Sequence, residues 1–446
     1  MPGPSSRILS TYRAYARPRT WLPRWFEQYG DPVRVPTASG NFVITGDPRI
    51  VRQLLSTNPD AFRPFTFPVT GSLFGERSIT QLTGHEHRAR RKLLMPPFHG
   101  QQMRGFEDAM QDIAHRALSR ACLAGDARFR DIARSLTLEV ILRTIFGVQS
   151  VEQTNTFKSA VGDLVDSMSP ILLSLPILHR QLWGFGPFAR YRRAVARLSD
   201  LLQEQIDSAR HAAPTPDILC MLLGARLDDG TALSDAEIRQ ELVTLLFAGH
   251  ESTSTALCWA VEAIGRDRTL RRLLRTEVRA LGPEPPPSEL AKLPLFDATI
   301  KEALRLHPPF PGIARVLAAP MELGGYWLEP GTVVAIDIPT VHHRDDVYPE
   351  PERFRPERFL ERKYAPNEYL PFGGGHRRCI GAAFAGLEMR IVLGVLLGRF
   401  EFDLLRSQPP RAVRCNLTLA PAGGVPLTIH PRARGVHRDL RRDGME

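Results

Sequence analysis

One cysteine stands in a setting suited to binding a metal. Cys379 lies in the glycine-rich stretch 371–381, directly before an apolar run with helical spacing. A helix N-terminus favours a thiolate through its free N–H groups and its dipole, and a thiolate is a strong metal ligand. The glycines are expected to admit a large flat cofactor to the backbone, and Phe372 to cover the sulfur with an apolar ring. A phosphate loop or a plain turn around a buried cysteine is the alternative, although the stretch has no Gly-Lys-Ser/Thr ending.

A second chemical centre is predicted in the middle of a long buried helix. Ser234 and Glu237 form a capping-box pattern, which opens an apolar run of about nine turns. The run is interrupted at residues 249–253, where Gly, His, Glu, Ser and Thr follow one another. A glycine inside a helix costs on the order of 1 kcal/mol relative to alanine, so the break indicates a function. The alternative is a helix whose Ser and Thr side chains bond back to its own carbonyls.

Two further patterns place charged side chains on one helical face. His87 and Arg91 are four residues apart in a strongly basic segment. Glu302 and Arg305 are three residues apart in another helical pattern. Alone, the first pattern is typical of a solvated basic helix. The second pattern recurs around Pro351, where a helical pair is not expected.

The cysteine stretch resembles the haem-binding loop of the cytochrome P450 superfamily, Phe-x-x-Gly-x-Arg-x-Cys-x-Gly, which FGGGHRRCIG matches. The resemblance implies that Cys379 is the axial ligand of the iron of haem b, with Phe372 beside it. It also implies that Arg377 contacts a haem propionate, a role that suits a guanidinium because it binds carboxylates bidentately. By the same resemblance, further cofactor-binding positions are occupied by His87, Arg91 and Arg315.

The polar break in the long helix is similar to the family's oxygen-binding groove, Ala-Gly-x-Asp/Glu-Thr. Ser252 stands where the family usually has threonine, and Thr253 follows it directly. The resemblance implies that Glu251 and Ser252 bring protons to the reaction, with Thr253 as a neighbouring hydroxyl that could take the same role. These three residues are the predicted catalytic group.

Three other regions receive a role from the same resemblance. Glu302, Arg305 and Arg358 correspond to a buried structural network, in which Arg358 belongs to the sequence Pro-Glu-Arg-Phe. Residues from about 106 to 210, including the apolar SPILLSLPIL, correspond to the mobile roof of the substrate pocket. The pocket positions are occupied by Ile79, Phe247, Ala248, Phe310, Pro311, Leu417 and Thr418.

Length and composition permit one large domain in a reducing compartment. The 446 residues are 43% hydrophobic, and their interior has no repeat, Ser/Gly linker or composition break. The five cysteines are scattered without a CxxC pair, which argues against a disulfide framework. The N-terminus has no apolar run suited to a signal peptide or a membrane span, so a cytoplasmic protein is expected. The net charge of +10 raises nucleic acid as a partner, but no recognised nucleic-acid motif accompanies it.

Local patterns and the resemblance together predict a mainly α fold with a minor β portion, in one cytochrome P450 domain. Residues around Ser39 and Gly40 indicate a hairpin, and a helix is expected after Asp47. The strand-like GTVVAIDI and LTLAPAGGVPLTI are expected to add a small sheet. The segment RTWLPRWF is expected to pack on its own domain, with a membrane surface as the alternative. We expect residues 1–24 to be an N-terminal segment, 25–430 the haem domain and 431–446 a frayed tail.

The resemblance predicts a monomeric haem-thiolate monooxygenase that inserts one oxygen atom from O2 into a hydrophobic small molecule, such as a fatty acid or a terpenoid. Because the 446 residues include no flavin or nicotinamide domain, electrons are expected from a ferredoxin or flavodoxin with its NAD(P)H-dependent reductase. Arg90, Lys92 and Arg378 are expected to border the docking face for such an acidic donor. The alternatives are a haem-thiolate peroxygenase or isomerase, and a basic nucleic-acid-binding module without a cofactor.

Overall fold

The computed structural model describes residues 1–16, 18–65, 73–168, 186–282 and 285–431. These residues form a mainly helical fold with one five-stranded sheet and three smaller sheets. The predicted fold class is therefore confirmed. The roof segment SPILLSLPIL and the tail after residue 431 lie outside the described residues.

The helices are distributed through all the described ranges of the chain. In order they are α1 (Arg7–Ala16), α2 (Pro18–Tyr29), α3 (Pro48–Ser56), α4 (Gly84–Leu94), α5 (Gln101–Arg104), α6 (Glu107–Ala124), α7 (Phe129–Thr144), α8 (Val151–Ser167), α9 (Pro187–His211), α10 (Ile218–Gly224), α11 (Asp235–Arg266), α12 (Arg268–Ala280), α13 (Pro287–Leu290), α14 (Pro294–Leu306), α15 (Ile338–His342), α16 (Arg358–Glu361) and α17 (Ala382–Arg399).

The strands are short and come mostly from the two ends of the chain. In order they are β1 (Val33–Thr37), β2 (Gly40–Thr45), β3 (Phe62–Pro64), β4 (Asp126–Arg128), β5 (Gly312–Leu317), β6 (Met321–Leu323), β7 (Tyr326–Leu328), β8 (Val333–Asp337), β9 (Phe400–Leu404), β10 (Ala412–Cys415), β11 (Thr418–Pro421) and β12 (Pro426–Pro431).

Helix α11 crosses the main hydrophobic core and is the longest element among the described residues. Its start is the predicted capping box, in which the Ser234 hydroxyl accepts the Glu237 amide and the Glu237 carboxylate accepts the Ser234 amide. Because α7, α14 and α17 all pack against it, α11 is buried along most of its 32 residues. The expectation of a buried helix of this length is confirmed.

The sheets pair strands that are far apart in the sequence. The five-stranded sheet has the order β1-β2-β8-β5-β3, with β2 and β8 parallel. Strand β11 pairs with β10, whereas β12 lies between β4 and β9. The segments expected to form one small sheet therefore belong to three sheets, and that expectation is wrong. A local pattern predicts a strand, but its partner depends on how distant segments pack.

The N-terminal helices pack on the first hairpin. Trp25 is buried in a small cluster with Val33 and Val35, so the aromatic segment packs on its own domain as predicted. Helix α2 continues across the boundary expected after residue 24. The division of the chain into three segments stays a prediction. Within the described ranges, no helix is both long and apolar enough to cross a membrane.

Candidate functional site

The loop that carries Cys379 folds back on itself before α17 begins. The Cys379 amide donates to the carbonyl oxygen of Phe372 at 2.9 Å, and Gly381 caps the helix. Gly375 has a φ of +61°, and a Cβ there would lie 2.5 Å from the carbonyl oxygen of Leu55 in α3. This glycine therefore makes room for α3, which differs from the cofactor-admitting role expected for it.

The Cys379 thiol has an accessible surface although protein atoms surround most of it. Burial raises the pKa of the thiol, while the Gly381 amide and the charges of Arg91 and Arg378 oppose the rise. The Gly381 amide at the helix N-terminus acts on the thiol in the expected direction, but desolvation by burial is the larger cause. Binding to a metal cation would stabilise the thiolate, since a coordinating thiol is deprotonated.

Basic side chains gather beside this loop: His87 and Arg91 from α4, Arg315 from β5, and Arg377. Burial, with repulsion from Arg315 and Arg91, lowers the pKa of Arg377 to about 10. Burial, with repulsion from Arg377 and Arg91, lowers the pKa of His87 to about 4. Among the described residues, Arg315 and Arg377 donate to backbone carbonyl oxygens only. No carboxylate of the described residues pairs with any of the three arginines, so the cluster lacks negative charge.

The polar break of α11 is turned largely toward α7. Glu251 accepts from the Arg130 guanidinium at 3.0 Å and lies 3.5 Å from the Arg134 Nε. His250 Nδ1 is 3.0 Å from the Thr137 hydroxyl oxygen, and burial lowers the pKa of His250 to about 3. His250 and Glu251 therefore join α11 to α7.

Helix packing explains the glycine at position 249, although its sequence context does not reveal this. A Cβ at this position would lie 2.9 Å from the Cδ1 atom of Ile141 in α7, which is closer than such atoms pack. The glycine lets α7 and α11 approach one another, and this contact offsets the cost of glycine inside a helix.

One face of α11 remains accessible at the polar break. Ala248 is exposed and Ser252 is half-buried, although most of the helix around them is buried. The two residues are one turn apart, and the Ser252 hydroxyl donates to the Ala248 carbonyl oxygen at 2.5 Å. Thr253 is buried on another side of the helix. Ser252 is therefore the more accessible of the two predicted hydroxyls.

The predicted charge network is assembled in the core. The Glu302 carboxylate accepts from Arg305 at 2.7 Å and 2.9 Å, and from Arg358 at 3.1 Å. All three side chains are fully buried. Arg305 also donates to the His342 carbonyl oxygen at 2.7 Å, which ties α14 to α15.

The predicted pocket residues come from four separate regions. Ile79 is buried, Phe247 is half-buried with its ring edge-to-face on Phe74, and Thr418 is buried with its hydroxyl 3.3 Å from that of Thr255 in α11. Three others are half-buried: Phe310 and Pro311, between α14 and β5, and Leu417, in the turn between β10 and β11. The seventh, Ala248, is exposed.

Two cavities lie outside this group of pocket residues. A cavity of about 210 Å³ is lined by Arg315 and Arg377, and a surface cleft of about 710 Å³ is lined by Trp259 and His307. None of the seven predicted pocket residues lines either cavity. The larger cleft is also lined by no predicted site residue. We therefore do not assign the reactive centre to this cleft, despite its size.

One residue of the expected docking face is not on the surface. The Arg90 side chain is only 3% exposed and is paired with Glu237 and Glu241 of α11. The expectation that Arg90 borders a docking face is therefore wrong, because α4 turns this position inward. Lys92 and Arg378 are exposed, as docking requires.

Comparison with known proteins identifies the family to which these features belong. Residues 16–425 match the family model described as Cytochrome P450. The chain belongs to this family. Cytochrome P450 135A1 of Mycobacterium tuberculosis is 30% identical over 441 residues, which cover 97% of this chain and 96% of that protein. Cytochrome P450 138 of Mycobacterium bovis is 32% identical over 419 residues, covering 93% of this chain and 92% of that protein.

Solved cytochromes P450 share the fold. A retinoic-acid-bound cyanobacterial protein, CYP120A1, superposes with a TM-score of 0.85 at 26% identity, covering 97% of this chain and 100% of that chain. The haem domain of cytochrome P450DA superposes with a TM-score of 0.85 at 23% identity, covering 97% of this chain and 98% of that chain. This second likeness concerns the fold alone.

Membership of the cytochrome P450 family settles the general chemistry. The protein is a monooxygenase that binds haem b through a cysteine thiolate, uses O2 and requires a redox partner. The described residues fit haem, because Arg91, Arg315 and Arg377 have no carboxylate partner and the two propionates of haem b would provide negative charge.

Sequence reasoning missed three charged residues around this P450 site. Arg130 and Arg134 hold Glu251, and Glu241 holds Arg90. The four-residue spacing of Arg130 and Arg134 could have indicated a shared helical face. No signal could have paired that face with a carboxylate 121 residues away.

Proposed function

We propose that this cytochrome P450 inserts one oxygen atom from O2 into an apolar small molecule, a fatty acid or a terpenoid. The electrons come from a separate ferredoxin or flavodoxin and its NAD(P)H-dependent reductase. The observation that carries the proposal is the position of the accessible Cys379 thiol beside arginines that have no carboxylate partner among the described residues. A thiolate ligand and cations that are not already paired with a carboxylate are what a haem with two propionates needs.

In this proposal, the chain supplies one iron ligand and several propionate partners. Cys379 binds the iron, and Phe372, whose carbonyl oxygen accepts the Cys379 amide, shields the sulfur from water. Arg91, Arg315 and Arg377 pair with the propionates, while the neutral His87 ring contributes a hydrogen bond. Bound in this way, haem supplies the one-electron and O2 chemistry, and the thiolate favours O–O cleavage.

Proton delivery is assigned to Ser252 and Glu251. Ser252 lies on the accessible face of α11, where its hydroxyl can pass a proton to a neighbouring water. Glu251 is adjacent and contacts Arg134, whose side chain is 30% exposed, so protons can approach from that side without opening the pocket. Thr253 is buried and serves as the second candidate hydroxyl.

The proposed substrate class follows from the side chains assigned to the pocket. Six of the seven, all except Thr418, carry no polar side-chain group, and none of the seven is charged. The Thr418 hydroxyl donates its proton to the carbonyl oxygen of Cys415 at 3.1 Å. The likeness to a cyanobacterial cytochrome P450 with bound retinoic acid, a terpenoid acid, supports the same class.

A binding and turnover experiment tests this function. Retinoic acid and a long-chain fatty acid are titrated into the haem-loaded protein, with glucose as a polar control, and the spin-state shift of the haem spectrum is recorded. We expect saturable shifts with the apolar compounds only. Turnover is then compared with ferredoxin, reductase, NADPH and O2 on one side and with hydrogen peroxide alone on the other. Product formation only with peroxide would contradict the monooxygenase role proposed for these substrates and favour a peroxygenase.

A further inference from the structure

A buried ion pair joins α4 to the first half of α11. Arg90 donates through one terminal nitrogen to Glu241 at 2.8 Å and through the other to Glu237 at 2.6 Å. The Arg90 and Glu241 side chains are 3% and 0% exposed. Their interaction is therefore shielded from solvent and weakly screened by salt.

The same side chains hold a loop that precedes α4. The Glu241 carboxylate accepts the amide of Ile79 at 2.9 Å, and Arg90 donates to the carbonyl oxygen of Arg77 at 3.1 Å. Gln240, next to Glu241, accepts the Arg77 amide at 2.9 Å. These three hydrogen bonds, together with that of the Arg77 guanidinium to Glu86 of α4 at 3.0 Å, tie residues 77–79 to α4 and α11.

The other side of this loop is bound to the loop that carries Cys379. Arg377 donates to the carbonyl oxygens of Ile79 at 3.1 Å and Thr80 at 3.4 Å, and also to that of Leu82. Residues 77–82, here called the 77–82 segment, therefore lie between the Arg90–Glu241 pair and Arg377. The position of the segment therefore determines where the Ile79 side chain and the Arg377 guanidinium lie.

Stability alone does not explain a pair of this kind. The Arg90 Nε and one oxygen of Glu241 are buried without a hydrogen-bond partner among the described residues. Burial raises the pKa of Glu241 to about 7 despite its arginine partner, which reflects the cost of desolvating the carboxylate. Apolar replacements of such pairs are often neutral or stabilising, so a pair that is retained can serve to specify one conformation.

We infer that Arg90 and Glu241 are positioning residues that hold the 77–82 segment over the reactive site. They set the place of Ile79 in the pocket wall and, through the segment's carbonyl groups, the direction of Arg377. The roles given to Ile79 in the pocket wall and to Arg377 rest on the proposed function. The existence of the anchor, meaning the bonds by which Arg90 and Glu241 hold the 77–82 segment, does not.

Hydrogen exchange of the haem-loaded protein tests the anchor directly. The double variant Arg90→Met/Glu241→Leu removes both charges with apolar side chains of similar size, so the fold is expected to survive. Amides of the 77–82 segment should exchange faster by on the order of tenfold or more, because bonds to charged groups are lost. Arg88→Met is the matched control on the same helix, since Arg88 is half-exposed and its pair with Asp60 lies at the surface.

Three outcomes decide the inference. Faster exchange confined to the 77–82 segment, with an unchanged urea midpoint, supports it. A parental exchange rate in the folded double variant overturns it, as does an equal effect of Arg88→Met. If the double variant does not fold, Glu241→Leu replaces it, because leucine removes the acceptor of the Ile79 amide while Arg90 keeps its bond to Glu237, and the same criteria apply.

Ligand binding provides a second readout that separates this inference from the proposed function. In the double variant, the apparent Kd for retinoic acid from the spin-state titration should rise by about tenfold, with a smaller change in kcat, because Ile79 is displaced. If retinoic acid produces no shift in the parent, the proposed substrate class fails, and the exchange experiment still decides whether the anchor exists. A parental Kd in a double variant with fast exchange would remove Ile79 from the pocket wall.

Discussion

The hydroxyl of Ser252 donates to the carbonyl oxygen of Ala248, one turn earlier in α11, at 2.5 Å. A bond of this kind competes with the helical bonding of the carbonyl and often bends a helix. Both residues lie on the accessible face, whereas Thr253 is buried. While its proton is bonded to Ala248, the Ser252 hydroxyl can still accept from a pocket water, and its accessibility makes it better placed than Thr253 to exchange protons.

Replacing Ser252 tests its role in proton delivery. Ser252→Ala should keep haem and substrate binding but divert reducing equivalents into hydrogen peroxide, because no positioned hydroxyl remains to deliver protons. Ser252→Thr should couple at least as well as the parent, since the added methyl restricts the rotamer that holds the delivery water. Product and peroxide are measured per NAD(P)H consumed with a reconstituted donor.

The neighbouring hydroxyl is the control for that experiment. Thr253→Ala should leave coupling near the parental value, because Thr253 is buried away from the accessible face. Unchanged coupling in Ser252→Ala together with peroxide release in Thr253→Ala would assign the role to Thr253 instead.

The iron ligand is tested by the spectrum of the reduced, carbon-monoxide-bound protein. Cys379→Ala should yield a folded protein that lacks the strongly red-shifted Soret band, because only a thiolate ligand produces it. The control variants replace the remaining cysteines, Cys122, Cys220, Cys258 and Cys415, one at a time and should keep the band. A red-shifted band in Cys379→Ala would mean that another residue binds the iron.

Docking of the electron donor should depend on two exposed cations. Lys92→Glu and Arg378→Glu should slow reduction by an acidic ferredoxin by on the order of tenfold at low ionic strength, since steering is lost. The parental rate should fall as salt rises. The rate is measured by stopped-flow absorbance, with Lys292→Glu, an exposed change outside the two segments, as the control. Parental rates and salt dependence in both variants would place docking elsewhere.

The buried charge network should matter far more for stability than a similar pair at the surface. Glu302→Gln leaves Arg305 and Arg358 buried beside an uncharged partner, which should cost roughly 3–5 kcal/mol of unfolding free energy. Arg353→Ala breaks an exposed pair with Glu350 and should change it by less than about 1 kcal/mol. Urea denaturation followed by circular dichroism compares the two. Equal losses would show that burial does not govern this network.

A buried histidine should make the fold sensitive to acid. The His342 Nε2 accepts the Leu370 amide at 2.8 Å, and Nδ1 lies 2.9 Å from the Arg305 carbonyl oxygen, so the ring is neutral with its proton on Nδ1. Burial lowers the pKa of His342 from 6.5 to about 3. Its contribution to stability is therefore fully present above pH 6.5 and is lost as the pH falls toward 3, because only the unfolded chain takes up the proton in that window.

The variant His342→Gln tests this pH dependence. Glutamine does not titrate, so the free energy of unfolding should vary less steeply between about pH 4 and pH 7 than in the parent. Urea midpoints measured at several pH values give the slopes. An identical slope in parent and variant would mean that His342 is protonated equally in the folded and unfolded states.

The sequence by itself determined the features that depend on near neighbours in the chain. The Ser234 capping box, the helix that starts after Asp47 and the hairpin at Gly40 all occur where their patterns predict them, because caps and turns need only residues a few positions apart. The stretch around Cys379 also indicated the family, since its residue types and spacing are local.

The tertiary structure alone decided which side chains meet across distance. Arg90 and Lys92 belong to one basic run, yet α4 buries the first against Glu241 and exposes the second. Glu251 bonds to Arg130, 121 residues away, and Gly375 makes room for Leu55. Helical and strand periods limit which residues share a face, but the partner of that face is selected by the packing free energy of segments far apart in the chain.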